Sequence, residues 1–195
     1  MRANHKIKTM VIAALLCGIG VAIPMFMPKI VLGPMSFTLA SHVPVFLAVF
    51  ISPPVAAVVS VVTGFGFLLA GFPIVIVLRA FSHLIFALIG ALLIKQYPEI
   101  LCSPGGTLGL GAVTAILHAI GEVSVVTAFF FGGSMGTATY QQGYWYAVLF
   151  MVGVGTLIHS SLDFAISVFV WKHVQGAIRI PVCARVKPLS SGKTG

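Results

Sequence analysis

Charge is what this sequence has least of. Only 7% of its 195 residues are charged, and only three are acidic: Glu99, Glu122 and Asp163. An ordinary soluble domain carries about 25% charged residues, so that class is excluded. Cysteine is scarce too. Cys17, Cys102 and Cys183 are far apart and form no CxxC pair, which supports neither a zinc site nor a redox motif. A phosphate-binding loop is also missing: Ser191-Gly192-Lys193-Thr194 has the right ending, but Lys187 stands where the first glycine is needed. Active transport by such a chain must therefore draw on an ion gradient or on a partner that hydrolyses ATP.

What is present is apolar. With 59% hydrophobic residues and a mean hydropathy of +1.13, the chain is expected to be an integral membrane protein. Its length leaves room for about six spans of ~20 residues and no second domain. The pattern predicts an all-α bundle with helices at about 8–27, 36–52, 54–72, 73–95, 106–131 and 143–172 and a basic tail over 173–195. Pro53-Pro54 divides the run from Ser36 to Gly71, because proline lacks the amide donor and clashes with the preceding turn.

The net charge of +8 gathers at the two ends, in Arg2, Lys6 and Lys8 and then in Lys172, Arg179, Arg185, Lys187 and Lys193. That is the positive-inside pattern rather than a nucleic-acid stripe, and it puts both termini in the cytoplasm, which requires an even number of crossings. The N-terminus imitates a signal peptide but reads as a retained first span, since no small-residue cleavage site directly follows the apolar stretch to Met27. Lys95 then falls inside. Lys29, in the first outer loop, is the exception.

That loop, Pro28 to Ala40, is too broken by Gly33 and Pro34 to be helix and too apolar to be a solvated linker, so it is a candidate lid. The other outer connection, from Gly132 to Gly143, is uncharged and supplies amide and hydroxyl groups beside Tyr144 and Trp145. Those two aromatics suit either a ligand or an interfacial anchor.

The chemistry concentrates in helices four and five. An ionisable group inside hydrocarbon costs at least ~2.5–3.5 kcal/mol, so Arg79 needs a partner or a task. At 1.5 Å per residue, Arg79 lies roughly 9 Å below the outer end of its helix and Glu122 roughly 13 Å below that of the next, so the two can meet. His83 follows Arg79 at i+4 and His118 precedes Glu122 by four, so each pair shares a helix face. Two readings stand together: a structural ion pair, or a Glu122 that orients Arg79 to receive a carboxylate ligand on its planar fork. His159 and Asp163 form a third such pair, expected roughly 24 and 30 Å from the outer end of helix six, at the cytoplasmic mouth.

Two decoys are rejected. Gly132-Gly133-Ser134-Met135-Gly136 fits the nucleophile elbow, but Ser134 lies in the outer loop, far from His159. The histidines His42, His83, His118 and His159 suggest a metal, yet their estimated depths differ and no acidic or cysteine cluster joins them, so no metal or other cofactor is expected. On helix one, Ala14, Gly18 and Ala22 form a small-residue stripe that suits close approach of another helix, from the bundle or from a partner.

The chain resembles the substrate-binding S-components of energy-coupling factor (ECF) vitamin transporters. The features that carry the resemblance are six helices, the partly apolar first outer loop and the helix-one stripe. More specific are Ile23-Pro24-Met25-Phe26-Met27-Pro28-Lys29-Ile30-Val31, Ser36-Phe37-Thr38-Leu39-Ala40-Ser41-His42-Val43-Pro44, Gly71-Phe72-Pro73 and Leu78-Arg79-Ala80-Phe81-Ser82-His83, which look like the niacin-specific type. The resemblance implies capture of a small vitamin from outside, a membrane coupling (T) subunit and two cytoplasmic ATPases as partners, and a toppling motion that carries the ligand inward. The family's alanine motif maps onto Ala14, Gly18 and Ala22, with glycine in the middle. Metal-specific relatives use an extreme N-terminal histidine, whereas His5 comes too late.

On this reading Arg79 takes a carboxylate, His83 or His118 hydrogen-bonds the ligand, Glu122 orients Arg79, and Phe37, Tyr144 or Trp145 covers the ring. The alternatives are a stand-alone carrier in which Glu122 or Asp163 loads a proton, an S-component for another vitamin, and an intramembrane hydrolase built on Ser134.

Overall fold

The computed structural model describes residues 2–32, 35–177 and 180–186, with side chains over 4–30, 37–177 and 180–186. Gly33 and Pro34 lie outside the described residues, as do Arg179, Lys187 and Lys193 of the tail and Ser191-Gly192-Lys193-Thr194.

Helix α1 runs over Arg2–Phe26, starting earlier than the expected residue 8. Strands β1 (Ile30–Leu32) and β2 (Met35–Phe37) pair antiparallel with Ile30 opposite Phe37, a short hairpin in an otherwise all-α chain. The second predicted helix shrinks to α2, Val43–Ile51, because its first residues are used by β2 and by a turn through Ala40. Pro44 in the first turn suits a helix start, where no amide donor is needed.

Ser52 is extended, and α3 (Pro53–Leu69) starts on the proline pair as expected. Gly71, in the left-handed region at φ 76°, leads the chain toward α4 (Ile74–Gln96). Helix α5 occupies Pro104–Phe131, its start fixed by Ser103, whose Oγ accepts from the Gly106 N–H at 3.1 Å. The connection from Gly132 to Gly143 contains a short helix α6 (Thr137–Gln142), held by the Tyr140 hydroxyl, which accepts from the Met135 N–H and donates to the Phe130 carbonyl. The last predicted helix is π-helical over Trp145–Val154 and continues as α7 (Gly155–Val174).

Among the described residues, four helices are long and apolar enough to cross a membrane: Asn4–Phe26, Ile74–Gln96, Pro104–Phe131 and Trp145–Val174. Helix α3 is apolar but shorter. Burial is inverted relative to a soluble protein. Leucine, isoleucine and valine at positions such as Val11, Leu15, Leu92, Leu108, Ile116 and Leu162 face outward, while Glu122, Asp163 and three histidines are buried. Outward apolar surface suits lipid, and inward polar groups mark the functional interior. The chain is a membrane protein.

Small residues let the helices close on that interior. A Cβ at Gly66 would meet Val21 Cγ2 at 2.3 Å, and one at Gly121 would meet Ser82 Oγ at 3.0 Å, so α3 abuts α1 and α5 abuts α4. The second contact lies one residue from Glu122 and three from Arg79 along their helices, and brings that pair within reach. Below it, Phe46, Phe50, Phe86, Phe164 and Trp171 form an aromatic floor, with ring centres such as Phe46–Phe86 5.2 Å apart. The C-terminal segment covers that end of the bundle: Cys183 and Ala184 donate their N–H groups to Ile51 and Phe50, and Arg185 to Pro98.

Candidate functional site

The site is built by a backbone that dips into the bundle. After β2 the chain passes through Ala40, a non-glycine residue at φ 67°, and delivers His42 to the start of α2. Asp163 on α7, wholly buried, holds this dip in place: its Oδ1 accepts from the Ala40 N–H at 2.8 Å and its Oδ2 from the His42 N–H at 2.9 Å. The same Oδ2 hydrogen-bonds His42 Nδ1 at 3.1 Å, and Ser41 Oγ bridges His42 Nδ1 and His159 Nε2 at 3.2 Å each.

Asp163 and His159 therefore do not lie at an inner mouth, which corrects the depth count. A straight-helix count fails because the π-helical stretch climbs less per residue than an α-helix and because α2 starts inside the bundle. His42 becomes the centre of a four-histidine group, its ring centre 4.6 Å from that of His83, 4.5 Å from His118 and 4.8 Å from His159. The expectation that these histidines sit at different depths, unaccompanied by acids, is overturned by the same contacts.

The second carboxylate, Glu122 on α5, is 3% exposed and meets Arg79 as the helix depths suggested. Arg79 Nε donates to Glu122 Oε2, while Oε1 lies 3.2 Å from His83 Nε2 and 3.5 Å from His118 Nε2. Among the described residues the two terminal nitrogens of Arg79 make no hydrogen bond, and Arg79 lines the cavity. Glu122 thus fixes the guanidinium through one edge and leaves its fork unused.

A cavity runs from this cluster toward the hairpin end, and its wall includes Arg79, His83, His118, Glu122 and Phe37. His42, Ser41, Thr38, His159, Lys29 and Phe72 also line it and were not among the residues expected to bind a ligand. Phe37 packs on the His159 ring at 4.9 Å, and the Lys29 ammonium lies 4.8 Å from the centre of the Phe72 ring. The signal for Lys29 was in the sequence, as the exception to the inside placement of positive charge. Tyr144 and Trp145 are outside this lining: Tyr144 hydrogen-bonds Thr127 and packs on Phe130 and Phe131, and Trp145 is 77% exposed. On α1, Ala14 and Gly18 are exposed, with open space around a Cβ built at Gly18, and Ala22 is half-buried.

No family model and no solved structure matches the chain. Over 189 residues, covering 96% of this chain and 84% of the relative, it is 36% identical to the niacin transporter NiaX of Lactococcus lactis subsp. cremoris (strain MG1363). Likeness at that level over nearly the whole chain shows the family, and on that ground the chain belongs to the niacin-type S-component family that includes NiaX.

Proposed function

We propose that the protein captures niacin outside the cell and serves as the S-component of an ECF-type importer, with a membrane coupling subunit and two cytoplasmic ATPases as partners. The observation that carries this reading is Arg79: partly buried in an apolar helix, held by Glu122 through Nε, and bordering a cavity with its terminal nitrogens uncommitted. A planar fork with two free donors suits a carboxylate. Phe37 and Phe72 flank the ring. Lys29 attracts the anion at the mouth.

In this reading the chain crosses the membrane six times with both termini in the cytoplasm, α2 being a short inward pass below the dipping loop. The Ala14, Gly18 and Ala22 stripe, exposed at its first two positions, receives a helix of the coupling subunit.

Equilibrium binding of nicotinate to the purified protein tests the site. Charge-assisted hydrogen bonds are worth about 1.5–3 kcal/mol, so Arg79→Ala weakens binding by about 10- to 150-fold, and Arg79→Lys, which keeps charge without the fork, recovers part of it. Equal affinity in wild type and a folded Arg79→Ala variant refutes the anchor. For the coupling, the chain alone in proteoliposomes sustains no gradient-driven uptake; robust uptake without ATPases refutes the importer assignment.

A further inference from the structure

The cavity wall holds more imidazole than its hydrogen bonds can use. We propose that His42, His83 and His118 form a site for a divalent transition-metal cation of the zinc or cobalt class, with one coordination position open to the cavity.

The argument begins with proton positions. A carboxylate only accepts, so the nitrogens that face one carry the protons: His83 Nε2 and His118 Nε2 toward Glu122, and His42 Nδ1 toward Asp163. The opposite nitrogen of each ring, His83 Nδ1, His118 Nδ1 and His42 Nε2, then bears a lone pair. Among the described residues none of the three has a hydrogen-bond partner, and His118, 1% exposed, has its Nδ1 shut away from solvent. His118 Nδ1 is thus a buried acceptor without a donor, which is unfavourable, and His42 and His83 line the same cavity with acceptors that cannot satisfy it.

A cation resolves this. One ring nitrogen from each of the three residues lies within 4.8 Å of the others. Nitrogens around a tetrahedral zinc are about 3.3 Å apart given Zn–N distances of ~2.0 Å, so side-chain shifts of about an ångström complete the set. Metal-bound histidines normally donate their second nitrogen to a carboxylate, and Glu122 and Asp163 stand where that requires. Three imidazoles without thiolate suit zinc, cobalt or nickel rather than a hard cation, and a three-histidine site leaves a fourth position free.

The neighbouring triad of His42, His159 and Asp163 is a weaker candidate. Both oxygens of Asp163 are already engaged by backbone N–H groups, and Ser41 bridges the two rings. Charge favours the cation as well: with neutral histidines, Glu122 and Asp163 outweigh Arg79 by one negative charge in an apolar span. The sequence argument against metal rested on different depths, and the structure removes that ground. On the niacin reading above, the pyridine nitrogen and the carboxylate are both donors for the open position; the metal site itself does not depend on that reading.

The test is a Co2+ titration of protein made without a histidine tag, stripped with chelator, and carrying His5→Gln and His173→Gln to remove the exposed imidazoles. The expected result is one equivalent bound with the intense visible absorption of tetrahedral cobalt, bleached by Zn2+ and weakened at least about tenfold in affinity by His42→Gln or His118→Gln. No such band in the tag-free background protein overturns the proposal without reliance on any site variant's folding. A weak octahedral spectrum, or a band that survives His42→Gln unchanged, overturns it too. Nicotinate is absent from the titration, so its failure is separate from failure of the niacin reading.

Discussion

Two halves of the cavity wall share one sequence signature and do different work. Each has a histidine four residues before an acid, His118–Glu122 on α5 and His159–Asp163 on α7. Glu122 spends its charge on side chains: one oxygen on Arg79, the other facing His83 and His118. Asp163 spends its charge on the backbone, accepting two main-chain N–H groups of the dipping loop as well as His42. The first arrangement sets a cation beside a cavity; the second fixes the shape of the chain. Spacing on a helix shows which face a pair shares, and the partner across the bundle decides what the pair is for.

The sharpest way to break this comparison is to remove each acid and ask whether ligand restores what was lost. Removing one partner of a buried charged pair costs about 3–5 kcal/mol and losing a hydrogen bond to a charged group about 1.5–3 kcal/mol, so Glu122→Gln by the first route and Asp163→Asn by the second both lower the unfolding temperature in detergent. The repair differs. In Glu122→Gln, Arg79 is an uncompensated buried cation, and nicotinate supplies the missing carboxylate, so saturating nicotinate raises Tm more than it does in wild type. In Asp163→Asn no cation is exposed and the loop that carries His42 has lost its anchor, so nicotinate restores little. Neutral nicotinamide rescues neither variant. Equal rescue of both acids by nicotinate would show that the two halves are not distinct.

Much of this site was legible in the sequence, for identifiable reasons. Arg79 and Glu122 lie on helices joined by a short connection, so a rise per residue was enough to bring them together, and the proline pair marked the start of α3. The role of Asp163 was not legible, because its bonds reach residues 123 and 121 positions away and run to the main chain, which has no sequence signature. The dip of the first loop followed from those bonds, so the length of α2, the position of His42 and the four-histidine group were hidden with it. Tyr144 and Trp145 carried the right chemistry for a ligand, but Tyr144 is engaged by Thr127 and the phenylalanines of α5, which periodicity alone does not reveal.

A smaller effect separates the mouth of the cavity from its wall. Lys29 is exposed, so its charge acts through solvent and is screened by salt. Lys29→Gln slows nicotinate association by a few-fold at low ionic strength, about 0.3–1 kcal/mol in barrier, with the dissociation rate and Tm nearly unchanged. The difference from wild type shrinks as salt rises. Stopped-flow rates at two salt concentrations check this, and a salt-independent deficit would place Lys29 in direct contact with bound ligand instead.

The smallest effect on binding lies in the backbone that Asp163 holds. Ala40 sits at φ 67°, where an L-residue is strained by roughly 1–2 kcal/mol, and in that conformation its N–H reaches Asp163 Oδ1. Glycine adopts the same angles without strain but loses more freedom on folding, an opposing term of about 0.4–1 kcal/mol. Ala40→Gly therefore changes stability by about 0–1.6 kcal/mol, toward stabilisation, and leaves nicotinate affinity intact. Chemical denaturation and equilibrium binding on the same preparation measure both quantities. A variant that is clearly less stable would mean that the loop depends on the Ala40 methyl group rather than on the carboxylate. The strained turn would then be a packing feature, and Asp163 would lose its claim to shape the wall opposite Arg79.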